Sequence, residues 1–289
     1  MKSALAKAMP KIVPPKDKPE PKTCTDCGSP IEPRVRVDVE TQNRYWGFYP
    51  CSVCRDNERD NARQRASDRS RQRKIDDLTI DRGIPAKYRG MTFDKFVTDS
   101  KNTGAAHLKN HVPEHWDKMK RLVKFAKHWV ENWEDGSGQS LVFTGQPGNG
   151  KTMTACMILL GIIHRHLPRD LLMVNATQMF LSIKACYGGN DALAETNRLK
   201  LLTEVPILVV DEVGLQSGSA WEFEKLSYII HGRIDNQKSS IYITNNDGSR
   251  WREELGDRIT DRFNDENDFK HIAFAWPSWR SGTIYRKKE

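Results

Sequence analysis

The chain has 289 residues, of which 29% are charged and 37% hydrophobic, and its formal net charge is +8. This composition excludes a protein that lies mostly within a membrane and leaves enough apolar material for at least one core. The longest apolar run, residues 156–163, is too short to span a bilayer, and residues 1–22 lack the apolar segment of a secretory signal. We therefore expect a cytoplasmic protein with no membrane partner.

The positive charge is concentrated in the N-terminal third of the chain. Residues 1–90 hold 20 Lys and Arg against 13 Asp and Glu, whereas the remaining residues are almost balanced at 26 against 25. Residues 1–22 contain five Pro and six Lys and predict a disordered tail. The highly charged residues 56–79 predict a basic helical linker, and a flexible linker is the alternative. We expect the basic residues to lie on a solvated helix, and contact with DNA is the second interpretation.

Four of the six cysteines form two C-x-x-C pairs. Cys24 and Cys27 form the first pair, Cys51 and Cys54 form the second, and 23 residues separate Cys27 from Cys51. This spacing predicts a structural zinc ion held by four thiolates in a small module over residues 23–55, with a hairpin between the pairs. A module of this size buries too little apolar surface to fold without the metal. Redox chemistry at the two pairs is the weaker alternative.

Short apolar segments alternate with helical ones from residue 141 onward. Five of these segments have four to six residues and are rich in Val and Ile, namely 141–144, 171–175, 207–210, 240–244 and 271–275. Such segments are typical of strands that are buried on both faces of a parallel sheet. The pattern predicts a three-layer α/β domain with a five-stranded parallel sheet over residues 80–289. Residues 105–133 predict a helix with an apolar and aromatic stripe.

Residues 145–152, GQPGNGKT, match the phosphate-binding pattern G-x-x-x-x-G-K-[ST] between a predicted strand and a predicted helix. In such a P-loop, backbone N–H groups and the helix N-terminus bind phosphate oxygens. Lys151 would neutralise the β- and γ-phosphates, and Thr152 would hold Mg²⁺. The residues predicted to bind the nucleotide are Gly145, Gly148, Asn149, Gly150, Lys151, Thr152 and Met153.

Two carboxylates follow the apolar segment 207–210. Asp211 is predicted to bind the Mg²⁺ shell, and Glu212 to polarise the water that attacks the γ-phosphate. Carboxylates after a strand are common on protein surfaces, and it is the loop of Lys151 that favours the catalytic interpretation. Asn245 and Asn246 follow another apolar segment, where an amide would orient the water; a simple turn is the alternative.

Six segments of residues 80–289 occur in the order found in one known family. They are 83–96 (GIPAKYRGMTFDKF), the P-loop, 209–216 (VVDEVGLQ), 243–246 (ITNN), 255–263 (LGDRITDRF) and 273–281 (AFAWPSWRS). Together they resemble the DnaC-type replicative helicase loaders, AAA+ ATPases related to the initiator DnaA and to IstB transposition ATPases. The resemblance implies an ATPase that binds the replicative DNA helicase through its N-terminal region and single-stranded DNA through its AAA+ domain. It also implies self-association through the ATP sites.

The resemblance implies roles for individual residues as well. Asn245 matches sensor 1, Arg262 matches the arginine finger with Arg258 one turn earlier, and Arg280 matches sensor 2. Three further residues match contacts to single-stranded DNA, namely Tyr187, Ser219 and Trp221. Trp221 follows a Gly/Ser-rich loop and begins a predicted helix, so we expect it to be more exposed than Tyr187. Only 27 residues follow Arg262, and we expect no helical lid domain.

The main alternative is an IstB-like accessory ATPase for transposition, which would bind duplex DNA and a transposase. A third possibility is an adaptor that binds nucleotide without hydrolysis, and the presence of Lys151, Asp211, Glu212 and Arg262 argues against it. The zinc module departs from the most familiar loaders and resembles the N-terminus of some phage or prophage versions.

Overall fold

The structure, a computed structural model, describes residues 15–41, 43–98, 113–188, 193–214, 219–246 and 251–278. It divides into two compact units, with the boundary between Gln72 and Arg73. Most of the predicted tail and the predicted sensor 2 residue, Arg280, lie outside the described residues. Within the described ranges, no helix combines the length and the apolar character needed to cross a bilayer.

The first unit contains two small antiparallel hairpins and most of a long helix. Strand β1 (Lys22–Thr23) pairs with β2 (Pro30–Ile31), and β3 (Arg34–Val37) pairs with β4 (Arg44–Gly47). Helix α1 (Ser52–Ile80) follows. The predicted hairpin between the cysteine pairs is therefore present, and the predicted linker over residues 56–79 is helical.

The second unit alternates helices and strands. Its helical elements are a 3₁₀ turn at Ala86–Tyr88, α2 (Phe93–Thr98), α3 (Pro113–Glu131), α4 (Lys151–His166), α5 (Ala176–Lys184), a 3₁₀ turn at Ala185–Gly188, α6 (Ala194–Glu204), α7 (Ala220–Asp235), α8 (Trp251–Leu255) and α9 (Asp257–Phe263). Its strands are β5 (Ser140–Thr144), β6 (Leu172–Asn175), β7 (Ile207–Asp211), β8 (Ser239–Ile243) and β9 (Phe269–Ala273). The first part of the helix predicted over 105–133 lies outside the described residues.

The five strands of the second unit form one parallel sheet in the order β6-β7-β8-β5-β9. This confirms the predicted α/β class and the five predicted strands, whose ends shift by up to two residues. The largest shift is in β9, which begins at Phe269 because Phe269 and Lys270 pair with Ser140 and Leu141. Because charged residues flank Phe269, the hydrophobicity pattern did not include this end of the strand.

Successive residues of a strand belong alternately to two separate hydrophobic cores, one on each face of the sheet. On β5, Leu141 and Phe143 belong to one core and Val142 to the other. The first core also contains apolar residues of α1, α3 and α4, and the second contains those of α5, α6 and α7. The sheet therefore lies between two helical layers, as predicted. Because all strands are parallel, their carboxyl ends share one edge, and the loops that carry chemistry meet there.

Candidate functional site

The P-loop follows β5 and ends where α4 begins. Gly145, Gly148 and Gly150 all have positive φ angles, of 129°, 84° and 96°. Gly145 has a second constraint, since a Cβ there would lie 2.6 Å from the carbonyl oxygen of Phe274. These conformations turn the backbone into the tight loop that precedes the helix N-terminus, where anions bind well.

Hydrogen bonds with residues that follow β9 hold the P-loop in place. The buried Asn149 donates from Nδ2 to the carbonyl oxygen of Phe274 at 2.7 Å. Trp276 donates from Nε1 to the carbonyl oxygen of Asn149 at 2.8 Å. The segment that resembles the C-terminal end of helicase loaders thus contacts the loop directly.

Lys151 is the first residue of α4, and its side chain is buried inside the loop. Its Nζ donates to the carbonyl oxygens of Gly145 and Gln146 at 2.6 and 2.8 Å, and to Oδ1 of Asn149 at 3.1 Å. These three acceptors are neutral oxygens, and the ammonium group places a positive charge inside the loop.

Thr152 and Asp211 meet at the carboxyl edge of the sheet. The Thr152 hydroxyl donates to Oδ2 of Asp211 at 2.9 Å. Burial raises the pKa of Asp211 above its usual value, because desolvation disfavours the charged carboxylate. A hydroxyl and a carboxylate at this position are suitable ligands for Mg²⁺.

Glu212 lies next to this pair in a strained backbone conformation. Its φ angle is 61°, a value that non-glycine residues rarely adopt. Its backbone N–H donates to Oδ1 of Asp211 at 2.9 Å, and the Asn175 amide donates to its side-chain carboxylate. Strain of this kind is common at functional sites, and here it fixes the direction of an exposed carboxylate.

One cavity of about 200 Å³ connects these groups. Its lining includes residues 147–153 of the P-loop, Asp211, Glu212 and Asn245, together with Tyr88 from the lead-in segment. The structure therefore brings together the predicted phosphate, magnesium, water-activating and sensor 1 residues. Arg262 is not among the residues that line this cavity.

Arg262 and Arg258 lie on α9 and line a different groove, of about 1100 Å³, between α7 and α9. Arg262 is half-buried, and its Nε donates to Nε2 of His231 at 3.1 Å. The other ring nitrogen of His231 lies 2.7 Å from the carbonyl oxygen of Ser227. Because that carbonyl can only accept, Nδ1 carries the proton and Nε2 accepts from Arg262.

The predicted DNA contacts form a cluster on α5, α7 and the following turns. Trp221 donates from Nε1 to the Tyr187 hydroxyl at 3.0 Å, and that hydroxyl donates to Glu195 at 2.8 Å. Lys184 lies over the Trp221 ring, 4.8 Å from its centroid. Ser219 caps the N-terminus of α7 in a capping box with Glu222.

Exposure in this cluster differs from the expectation that Trp221 would be more accessible than Tyr187. Tyr187 is 52% exposed, whereas Trp221 is only partly exposed and packs against Phe180 and the second core. The expectation was wrong because α5 places the Phe180 ring beneath the first turn of α7.

The four paired cysteines meet in the first unit. Their Sγ atoms all lie within 4.8 Å of one another, with 3.7 Å between Cys24 and Cys54 and 3.5 Å between Cys27 and Cys51. A tetrahedral zinc ion with Zn–S bonds of about 2.3 Å requires sulfur atoms roughly 3.8 Å apart. Hydrogen bonds from Ser29 lower the pKa of Cys27 and favour its thiolate. The four residues fit a zinc ion.

Three residues at these sites were absent from the predicted set. Tyr88 lines the cavity, Asn175 binds the carboxylate of Glu212, and His231 binds Arg262. Asn175 could have been found from the sequence, because it is a polar residue at the end of β6. Its neighbour in the sheet is Asp211. No sequence pattern marks His231, which lies within α7.

The parallel sheet, the P-loop and the acidic strand end define this protein as a P-loop nucleotide-binding α/β protein. The family model described as IstB-like ATP binding protein matches residues 120–265, half of the chain. The chain therefore belongs to the family of IstB-like ATP binding proteins.

Relatives named as helicase loaders are similar over a longer segment. The replicative helicase loader DnaC of Escherichia coli (strain K12) is 29% identical over 174 residues, which cover 60% of this chain and 69% of that protein. DnaC of Buchnera aphidicola subsp. Schizaphis graminum is 28% identical over 173 residues, covering 60% and 68%. The crystal structure of the DnaC helicase loader has 25% identity, a TM-score of 0.49 and coverage of 54% and 89%. The predicted resemblance to DnaC-type loaders is confirmed by the sequence relatives.

Proposed function

We propose that this chain is an ATP-dependent loader of a replicative DNA helicase. The observation that carries the proposal is the cavity where Lys151, the Thr152–Asp211 pair and Glu212 meet. Relatives named replicative helicase loader DnaC support the biological role.

Different residues of this cavity have different roles in ATP hydrolysis. Lys151 and the backbone N–H groups of the P-loop bind and neutralise the phosphates. Thr152 and Asp211 are the residues that would hold Mg²⁺, which supplies charge neutralisation at the phosphates. Glu212 accepts a proton from the attacking water, and Asn245 orients that water.

Arg262 acts on the ATP of a neighbouring subunit. It lies on the groove between α7 and α9, apart from the cavity of its own chain, so its charge is available to a second copy. A guanidinium supplied in trans stabilises the charge that develops on the transferred phosphoryl group. This role requires self-association, which the proposal therefore includes. We also propose Arg280 as the sensor 2 residue, on its sequence match alone.

Single-stranded DNA binds at the cluster of Tyr187, Ser219 and Trp221. The Tyr187 ring is exposed enough to stack on a base, and Lys184 supplies a cation over the neighbouring Trp221 ring. Trp221 supports the Tyr187 hydroxyl and is a positioning residue. The Cys24, Cys27, Cys51 and Cys54 set holds zinc and stabilises the region that binds the helicase.

Copurification with the cognate replicative helicase tests the role as a loader. We expect the full chain to retain the helicase and to deposit it on single-stranded DNA in the presence of ATP. Lys151→Ala should lose ATP-dependent deposition, and Lys118→Ala, an exposed lysine on α3, is the matched control. Failure of the wild-type chain to bind or deposit the helicase would contradict the proposal.

The hydrolytic assignment has its own test. Glu212→Gln keeps the shape of the side chain but cannot accept the proton, so turnover should fall by about 100-fold or more while ATP binding persists. Both quantities are measured on the purified variant. Equal turnover in Glu212→Gln and wild type would remove Glu212 from the mechanism.

A further inference from the structure

Helix α1 carries a strongly basic face that the proposed ATP site does not use. Every side chain of residues 55–74 is exposed, and residues 55–72 belong to the first unit. At 100° per residue, an arc of about 160° contains most of the arginines of this segment. They are Arg55, Arg59, Arg63, Arg65, Arg69 and Arg73, of which the first five belong to the first unit. We name these five residues the arginine face.

The spacing separates charge on the two sides of the helix. The arc contains one acidic residue, Glu58, and its other members are small: Ala62, Ala66 and Ser70. The acidic residues of the opposite side are Asp56, Asp60 and Asp68. Small residues between arginines allow the helix backbone to approach a partner closely.

Acidic neighbours compete weakly for these arginines. Arg59 lies 3.9 Å from Asp56, and Arg63 lies 3.6 Å from Asp60. The two arginine side chains are 67% and 83% exposed, and pairs at such exposure contribute little to stability. The arginine face is therefore free to exchange these contacts for phosphate groups, which accept two hydrogen bonds from one guanidinium.

The composition of α1 distinguishes between classes of partner. The helix has no aromatic residue, and single-strand binding surfaces depend on aromatic stacking. Its exposed part has no apolar stripe, which a helix needs to dock in the groove of a protein. The major groove of duplex DNA admits an α-helix, whereas that of duplex RNA is too narrow.

We propose that the arginine face binds duplex DNA, with α1 along the major groove and its arginines on the flanking phosphates. From Arg55 to Arg69 the helix extends about 21 Å, enough to follow roughly six base pairs. This surface lies outside residues 120–265, which match the family model, and it is separate from the cluster proposed for single-stranded DNA. This contact with duplex DNA adds to the proposed function of the chain as a helicase loader.

The test compares duplex and single-stranded DNA binding by the full chain without nucleotide. The variant Arg59→Gln/Arg63→Gln/Arg69→Gln removes three charges but keeps good helix formers. We expect duplex affinity to fall at least 10-fold at low salt, and the slope of log K against log salt to decrease by about 3. Arg59→Lys/Arg63→Lys/Arg69→Lys should keep most of the affinity, because the charge remains.

The control is Lys118→Gln/Arg121→Gln/Lys124→Gln on α3, which removes the same net charge from exposed positions of the second unit. Circular dichroism and zinc content verify the fold of each variant. Unchanged duplex binding in the arginine-face variant would overturn the proposal, as would an equal loss in the α3 control. An equal loss of single-strand binding would also overturn it, since the face would then be a general anion patch. The result is independent of helicase loading, because neither helicase nor ATP is present.

Discussion

At the scale of single residues, the P-loop depends on close contacts with the segment after β9. Gly145 touches the Phe274 carbonyl, which also accepts from Asn149, and Trp276 binds the carbonyl of Asn149. The loop is thus held in one conformation by hydrogen bonds as well as by its glycines. A preorganised loop loses less conformational entropy when it binds phosphate.

Gly145→Ala should weaken nucleotide binding. The substitution places a Cβ 2.6 Å from the Phe274 carbonyl oxygen at a φ angle of 129°. Strain of about 1–3 kcal/mol corresponds to a loss of roughly 10–100-fold in affinity if the loop distorts. Titration with a fluorescent ATP analogue measures the change. Gly136→Ala is the matched control, because Gly136 has a φ angle of 91° but no atom within 4 Å of the added Cβ; equal effects of both variants would refute the contact argument.

His231→Ala should slow hydrolysis that depends on subunit contact. The Nε2 acceptor of His231 orients the Arg262 guanidinium, and loss of one such bond amounts to about 0.5–1.5 kcal/mol, or roughly 2–10-fold in kcat. Nucleotide affinity should not change. His231→Gln can still accept from Arg262 and should recover part of the rate. A rate defect of equal size in His231→Gln would indicate a packing role instead.

At the scale of secondary-structure elements, the contact of α5 with α7 decides which aromatic residue of the proposed DNA-binding cluster is more exposed. Phe180 on α5 and Trp221 on α7 have ring centroids 6.0 Å apart, and the Tyr187 ring stands edge-on to Trp221, also at 6.0 Å. The partly buried ring of Trp221 supports the exposed ring of Tyr187. Replacing Tyr187 and replacing Trp221 should therefore change different properties of the protein.

Tyr187→Ala should reduce single-strand affinity without changing stability, by about 1–3 kcal/mol if one base stacks on the ring. Trp221→Ala should instead lower the free energy of unfolding by about 1–3 kcal/mol, because its ring packs against the second core. Fluorescence anisotropy with oligo-dT and urea unfolding measure the two effects. The reverse pattern would show that Trp221 is the stacking residue.

The hairpins of the first unit have little apolar core, and we expect their fold to depend on zinc held by the four clustered cysteines. Cys51→Ser/Cys54→Ser should reduce bound zinc from about one ion per chain to background and unfold the hairpins. Cys186→Ser is the matched control, since that thiol donates to the Ser182 carbonyl and a hydroxyl replaces it. Metal analysis and near-ultraviolet circular dichroism measure the outcome. Full zinc content in the double variant would exclude the assignment.

At the scale of the whole molecule, the proposed active site needs two copies of the chain. One copy provides the cavity of Lys151 and Glu212, and the other provides Arg262 from the groove between α7 and α9. Closed rings and open helical assemblies both produce such interfaces, because each uses a head-to-tail contact.

Mixing Lys151→Ala with Arg262→Ala should restore activity that neither variant has alone. In an equal mixture, random assembly gives an intact cavity facing an intact arginine at about a quarter of the interfaces. We therefore expect about a quarter of the wild-type turnover in an ATPase assay. No recovery in mixtures that still assemble would show that Arg262 does not act across the interface.

The sequence by itself determined the class of fold and the chemistry of the main site. Buried parallel strands are continuous apolar runs, and a P-loop is a local motif, so both are visible in consecutive residues. The same holds for the cysteine pairs, because their spacing is typical of zinc ligands and predicts that the four thiols lie close together. The placement of Lys151, Asp211 and Asn245 at one sheet edge also followed, because parallel strands align their carboxyl ends.

Only the tertiary structure decided which side chains touch across distant segments. Arg233 is an example: it is buried on α7, and its guanidinium binds Leu202 O at 2.8 Å, Ser239 O at 2.5 Å and Ser240 Oγ at 2.7 Å. The contacts of Asn175 with Glu212 and of His231 with Arg262, and the burial of Trp221 below Tyr187, are of the same kind. Hydrogen-bond partners and side-chain exposure depend on how whole elements pack. Neither property produces a periodic pattern or a fixed residue spacing that could be recognised in the sequence.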